Sequence, residues 1–332
     1  MDAYFIAPKG NLTSYVFYNQ ILKELHSYYA EKKQDQICFD FSMVKSIDAL
    51  VIPNLLCVGY IIKSHDVNFR APYLYIPDTL YSGKLKKYLI DIKFVDISNK
   101  YGLFDIHETI YGGLPKISGE WLNTTISFNS DEKEEIIRKK IINGTSEFSQ
   151  EFLKQFQNYN GNTVYNEIIC NCSELVLNSI QHAKSFAFMT IQSNIKLGKI
   201  FISVSDCGVG FKATINEKIF DNRLDCVITN STITNELDGI IQGIYARSNS
   251  NVFGLYPLIT SVLRSNGVVR IHSVDTQLVL TSRLLLHMEV AKNKETLKKL
   301  AALDEIKNNT RTDLKYGGVH IEIELPLANH YI

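Results

Sequence analysis

The stretch Phe-Ile-Ser-Val-Ser-Asp-Cys-Gly-Val-Gly-Phe, residues 201–211, decides the fold. It begins as an apolar strand and ends in a turn that carries Asp206, Gly208 and Gly210. Such a strand presents one carboxylate beside two positions without side chains, where a ligand can approach the backbone closely. Because the amino group of adenine is a hydrogen-bond donor, a fixed carboxylate suits it. By itself the motif is weak, since Asp and Gly are common in turns.

Upstream of this strand, the pattern of residues 168–183 predicts a helix with two distinct faces. Glu174, Asn178 and His182 are four residues apart, so they lie along one side, and the apolar residues fall on the side that would pack on a sheet. The oxygen of a side-chain amide suits Mg²⁺, and a carboxylate one turn away can orient or deprotonate an attacking water. The alternative is an ordinary amphipathic helix with a polar outer face.

Downstream, a loop of small and polar residues, 248–253, leads into a predicted helix at Gly254 and Leu255. Backbone amides at the start of a helix bind phosphate. Without the other two features, a plain helix cap with no ligand would be the simpler interpretation.

Together and in this order, these features resemble the GHKL ATPase superfamily, which includes gyrase, heat-shock chaperone, histidine kinase and mismatch-repair ATPases. The resemblance covers roughly residues 131–332. Glu174-x-x-x-Asn178 matches the N box of that family, and Asp206-x-Gly208-x-Gly210 matches its G1 box. Gly254-Leu255 matches the G2 box, and Gly317-Gly318-Val319-His320-Ile321 resembles the closing strand. The G2 box keeps one glycine of several, and Val319 replaces the usual Thr, which indicates a looser phosphate cradle.

The resemblance implies an α/β sandwich, a mixed sheet covered on one face by helices, that binds ATP and Mg²⁺. It implies Mg²⁺ held by Asn178, adenine read by Asp206, a catalytic base at Glu174, and a nucleotide lid over about 212–253. The other residues expected at the nucleotide are His182, Gly208, Gly210, Arg247, Gly254 and Leu255, with Arg247 near the γ-phosphate.

The N-terminal half alternates strand-like and helix-like segments, which predicts a small α/β domain. The segment Phe39 to Pro53 resembles the STAS family of sulfate transporters and anti-sigma-factor antagonists. Where the antagonists carry a phosphorylated Ser, this chain has Ala49, so the resemblance implies a docking module without a phospho-switch. The alternative is a generic small α/β domain. The predicted organisation is a STAS-like domain over 1–115, a linker over 116–130 and the ATPase-like domain over 131–332.

The composition argues against a nucleic-acid-binding, a membrane-spanning or a secreted protein. Thirty-five basic and thirty-five acidic residues give a net charge of zero, which provides no overall footprint for nucleic acid. No apolar run is long enough to span a membrane. Six cysteines without a secretory signal predict buried free thiols in a cytoplasmic protein.

We therefore expect a nucleotide-controlled regulatory or conformational switch that is a Mg²⁺-dependent ATPase and meets another protein through the STAS-like domain or the lid. The alternatives are a serine/threonine kinase of the anti-sigma-factor type and a degenerate interaction module that needs no nucleotide. Glu174 stands where histidine kinases more often have Asn, and His26, His65 and His107 do not lie on a dimerising helix pair, which argues against histidine autokinase activity. The sequence leaves the oligomeric state and the enzymatic use of ATP open.

Overall fold

The computed structural model describes residues 3–33, 35–66, 68–77, 82–106, 121–155, 170, 172–181, 185–194, 197–220, 232–245, 255–291, 293–312 and 316–326. The described chain is a mixed α/β protein with parallel and antiparallel sheets. None of its described helices is long and apolar enough to cross a membrane.

The N-terminal part, up to residue 106, is built around a parallel sheet. Its strands are β1 (Ala3–Ile6), β2 (Gly10–Leu12), β3 (Gln36–Asp40), β4 (Val44–Ile47), β5 (Tyr73–Tyr75) and β6 (Asp105–Ile106). Its helices are α1 (Ser14–Val16), which continues through a π-helical turn (Phe17–Ile21) into α2 (Leu22–Ala30), then α3 (Val51–His65), α4 (Ser82–Asp91) and α5 (Phe94–Tyr101). The main sheet has the order β1-β3-β5-β6, and β2 pairs with β4. The predicted alternation of strands and helices is confirmed.

The C-terminal part is a larger sheet with helices. Its strands are β7 (Trp121–Phe128), β8 (Ala187–Asn194), β9 (Lys199–Asp206), β10 (Val268–Ser273), β11 (Thr276–Leu280), β12 (Thr310–Arg311) and β13 (Val319–Pro326). Its helices are α6 (Glu134–Gln155), α7 (172–181), α8 (Gly210–Phe220), α9 (Glu236–Tyr245), α10 (Leu255–Arg264), a 3-10 turn (Ser282–Leu284), α11 (Leu285–Val290), α12 (Lys294–Ala302) and α13 (Asp304–Asn308). The strand order is β12-β11-β10-β13-β9-β8-β7.

Two expectations about this part need correction. Every described pairing in the large sheet is antiparallel, so the sheet is not mixed. The predicted linker over 116–130 contains β7, which pairs along its whole length with β8 and forms one edge of the sheet. The polar run Asn123-Thr124-Thr125 made this segment look like a loop, but the alternation that follows, with Ile126 and Phe128 on one side, is that of a strand with one apolar face.

The large sheet has one apolar face and one polar face, because apolar and polar residues alternate along its central strands. Ile202 and Val204 of β9 lie in register with Ile323 and Ile321 of β13, and all four pack under the helices. On the opposite face, the cross-strand rows are Ser205–His320–His272 and Ser203–Glu322–Arg270. Because side chains alternate along a strand, the apolar residues fall on the face that packs under the helices.

The polar face is covered by the N-terminal part. Asn54 of α3 is fully buried and donates from Nδ2 to Oε1 of Glu322 at 3.1 Å. Its Oδ1 accepts the hydroxyl of Ser205 at 2.6 Å, and its backbone oxygen accepts the hydroxyl of Tyr316 at 2.7 Å. Buried polar groups must find partners, so these bonds fix α3 in one position on the sheet.

The segment that resembles the STAS phosphorylation site lies in this interface. Ala49 and Leu50 are 2% and 1% exposed. The backbone oxygen of Leu50 accepts the hydroxyl of Ser203 at 2.9 Å. In this structure the loop is therefore in contact with the large sheet of its own chain.

Candidate functional site

The carboxylate of Asp206 is the point where three predicted motifs meet. It is 3% exposed at the end of β9. Its Oδ1 accepts the backbone amide of Gly208 at 2.9 Å and that of Val319, at the start of β13, at 3.1 Å. The hydroxyl of Ser179 on α7 also forms a hydrogen bond with the carboxylate. The structure thus brings the Asp-x-Gly-x-Gly turn, the closing strand and the helix of Glu174 together.

Burial dominates the electrostatics of this carboxylate. Desolvation raises the pKa of Asp206 from 3.8 to about 6, although the hydrogen bonds from Gly208, Val319 and Ser179 act to lower it. A carboxylate held by amides yet poorly hydrated is a strong acceptor for a ligand donor, since little water competes for it.

Because the pKa of Asp206 is raised, we expect the stability of the protein to depend on pH. Because the folded-state pKa of Asp206 lies above the unfolded value, its contribution to stability is present below about pH 4 and is lost as the pH rises through about 6. Asp206→Asn keeps an amide-accepting oxygen and cannot ionise. We expect the free energy of unfolding of this variant, relative to that of the wild type, to rise by about 2.4 kcal/mol between pH 4 and pH 8. Urea melts across this range measure the difference; a difference that does not change with pH would contradict the assigned pKa.

Helix α7 carries the other predicted catalytic residues. Cys172, Leu175 and Val176 are buried in the core under the sheet, as the sequence predicts. Glu174 and Asn178 are half-buried on its other side. Their spacing therefore places a carboxylate and an amide together beside the core rather than in it.

The carboxylate of Glu174 is partly desolvated and incompletely paired. Its Oε2 is buried and has no hydrogen-bond partner among the described residues. Burial raises the pKa of Glu174, the nearby Glu134 raises it further, and Arg138 lowers it. A carboxylate with a raised pKa and a free oxygen is typical of a group that accepts a proton from a bound water.

Mg²⁺ is compatible with this pair. Mg²⁺ keeps several waters and takes its remaining ligands from one or two protein oxygens and from phosphates. The half-exposed amide of Asn178 offers a hard oxygen donor of this kind, and Glu174 lies one turn away on α7. In the described parts of the chain, no group of three or more His, Cys, Asp and Glu side chains could hold a metal by itself.

The first turn of α8 is already occupied by protein groups. Gly210 begins this helix with a φ of +86°, and a Cβ there would lie 2.4 Å from Cγ2 of Val274. The amide of Phe211 donates to Oγ of Ser273 at 2.9 Å, and that of Lys212 donates to Oε1 of Glu236 at 3.0 Å. An acidic side chain at a helix N-terminus is favourable, so this N-terminus is filled and does not offer an anion site.

Three further residues belong to the site and were not predicted: Ser179, Glu236 and Ser273. Ser179 lies on the apolar side of α7, where it is buried and reaches Asp206. Glu236 and Ser273 come from α9 and β10, and only the three-dimensional fold brings them together, with Oγ of Ser273 donating to Oε1 of Glu236. No local pattern marks such a pair.

The predicted lid over 212–253 is helical where it is described. It consists of most of α8, then α9, which is held against α8 by the bond from Lys212 to Glu236. His182, Arg247 and Gly254 lie outside the described residues. Leu255 is the first residue of α10 and is buried in the core.

Comparison with known proteins gives no relative from which to assign a family. No protein-family model, curated protein or solved structure matches the chain. The assignment of function therefore depends on the geometry around Asp206 and Glu174.

Proposed function

We propose that the chain binds ATP in the manner of GHKL ATPases and uses it as a nucleotide-controlled switch, with Mg²⁺-dependent hydrolysis. The observation that carries the proposal is the Asp206 carboxylate, with Oδ1 anchored by two backbone amides at the meeting point of β9, β13 and α7. Its second oxygen would accept the adenine amino group.

Each further role is assigned to a residue of α7, the helix whose Ser179 reaches this carboxylate. Glu174, on the same helix as Ser179, would orient and deprotonate the attacking water through its unpaired oxygen. Asn178, one turn further along α7, would hold Mg²⁺, which neutralises phosphate charge when bound. A purely structural helix α7 would not need a poorly solvated carboxylate at Glu174 in addition to the anchored carboxylate of Asp206. The presence of both supports hydrolysis.

Contacts on the two faces of β9 and of the turn after it support the switching role. Asp206 points toward the helix-covered side, whereas its neighbours Ser205 and Cys207 both contact α3 of the N-terminal part. A ligand that moves Asp206 therefore moves residues that hold the interface with α3. Coupling of this kind requires only that ligand binding favours one arrangement of these contacts.

A substitution at Glu174 tests the hydrolytic role. We expect Glu174→Gln to lower the rate of phosphate release by about 100-fold, because the amide cannot accept the proton. The dissociation constant for ATP should change by less than about threefold, since Glu174 is assigned to the water rather than to the nucleotide. Malachite green assays and calorimetric titrations measure the two quantities.

Glu135→Gln is a matched control, because this carboxylate is exposed on α6 and pairs with Lys139. It should leave both quantities unchanged. Loss of ATP affinity in Glu174→Gln would assign this residue to binding, and undiminished phosphate release would remove it from the mechanism.

One observation favours a second candidate, an interaction module that does not need nucleotide. Asp206 is 3% exposed, and its amide bonds to Gly208 and Val319 would explain a purely structural carboxylate. The two candidates differ in whether ATP stabilises the fold. The kinase alternative would need a second protein as phosphate acceptor, because this chain's own acceptor position is Ala49, which is buried.

A further inference from the structure

Two cysteine thiols face each other across the contact between the N-terminal part and the large sheet. Cys57 belongs to α3 and is fully buried, whereas Cys207 follows Asp206 and is half-buried. Sγ of Cys207 lies 3.9 Å from the backbone oxygen of Cys57. The thiol of Cys57 is also hydrogen-bonded to that of Cys207. Both thiols are free in this structure.

Their surroundings are fixed by the same network that positions α3. Ser205, two residues before Cys207, donates to Asn54, which lies three residues before Cys57. The hydroxyl of Tyr316 donates to the backbone oxygen of Asn54 and also contacts the thiol of Cys57. The backbones on both sides are therefore held in register, and the two sulfurs are held close together. A disulfide needs this kind of approach, because its geometry tolerates little displacement of the backbone.

We propose that Cys57 and Cys207 are a redox-sensitive pair that a hydroperoxide converts to a disulfide, which locks α3 to the turn of Asp206. Cys207 is the half-exposed member, so it meets the oxidant first. The thiol of Cys207 loses its proton, its thiolate attacks a peroxide oxygen, and the O–O bond breaks; the sulfur becomes a sulfenic acid, and the leaving hydroxide takes up the released proton as one water. The sulfur of Cys57 then attacks that of Cys207, the S–O bond breaks, and the proton of Cys57 leaves with the oxygen as a second water. Two thiols and one hydrogen peroxide give one disulfide and two waters.

The position of the bond gives it a regulatory consequence. Cys207 lies directly between Asp206 and Gly208, so the disulfide fixes the turn that carries both. A cross-link between residues so distant in the chain also restricts the unfolded state strongly. The oxidised protein should therefore melt at a higher temperature than the reduced one, by roughly 5 °C.

Peptide mapping after oxidation tests the pair directly. The reduced full-length protein is treated with one equivalent of hydrogen peroxide, denatured, alkylated and digested without reductant. We expect a dominant peptide linking Cys57 to Cys207, the loss of two of the six free thiols, and reversal by dithiothreitol. Cys38→Ser, which removes another buried thiol, should give the same link.

Cys57→Ser provides a second readout that does not depend on the cross-link. In this variant the sulfenic acid on Cys207 has no thiol to attack it, so dimedone should label Cys207 strongly, whereas the wild type should be labelled weakly. Equal labelling of Cys207 in both proteins, a link between any other pair, or oxygen added to Cys207 without a link would overturn the proposal. None of these results depends on whether the protein binds ATP.

Discussion

Gly318→Ala is expected to lower the free energy of unfolding by about 3–5 kcal/mol. Gly318 has a φ of +90°, where side chains are strained, and a Cβ there would lie 1.9 Å from the backbone oxygen of Asp206. Since the neighbouring amide of Val319 anchors the Asp206 carboxylate, the backbone shift that relieves this clash also breaks that bond. Urea denaturation followed by circular dichroism measures the loss.

The adjacent Gly317 supplies the matched control. A Cβ at Gly317 would meet its nearest atom, Cδ1 of Ile61, at 3.8 Å, an ordinary van der Waals distance. Gly317→Ala should therefore change the unfolding free energy by less than about 1 kcal/mol. Equal losses for Gly317→Ala and Gly318→Ala would contradict the close approach of β13 to Asp206.

Asn54→Ala is expected to lower the free energy of unfolding by about 3–4 kcal/mol, because it removes a partner from a buried carboxylate. Asn54 bonds both Glu322, whose pKa is raised by burial to about 7, and the hydroxyl of Ser205. Asn11→Ala is the comparison: Asn11 is exposed and its side chain accepts a hydrogen bond from the hydroxyl of Ser46, so the loss should be within about 0.5 kcal/mol.

A double-mutant cycle identifies the cause of this loss. Adding Glu322→Gln to Asn54→Ala replaces the unpaired carboxylate with a neutral amide, so the double variant should recover part of the stability. Simple addition of the two single effects would mean that Asn54 and Glu322 are not coupled, and it would contradict the described docking of α3 on the sheet.

The strands β9 and β13 were expected from the sequence, and in the structure Ile202, Val204, Ile321 and Ile323 form their apolar face. The opposite face carries Ser, His and Glu, and no contact with the N-terminal part was predicted for it. The structure buries that face under α3. A signal for this was present, because α3 is apolar on nearly all sides, and such a helix is buried on more than one side.

Other features escaped prediction because they depend on long-range contacts. Helix α8 has weak apolar periodicity, and its first turn is satisfied by Glu236 and Ser273, which lie far away in sequence. The role of Ser179 depends on the depth at which α7 packs against β9. By contrast, the positions of Asp206 and Glu174 follow from a strand end and a helix period, which are local features.

The most direct test of the proposed nucleotide site is a thermal melt of the wild type, Asp206→Asn and Glu322→Gln, each with and without millimolar Mg²⁺-ATP. A ligand at about 100 times its dissociation constant adds about 2.7 kcal/mol of stability, so the wild type should melt several degrees higher with ATP. Asp206→Asn should lose this shift, because its amide offers a donor where adenine needs an acceptor. Glu322→Gln should keep the shift, since Glu322 is a buried carboxylate on the opposite face of the sheet. The absence of a shift in the wild type, or an equal shift in all three proteins, would contradict a nucleotide site at Asp206.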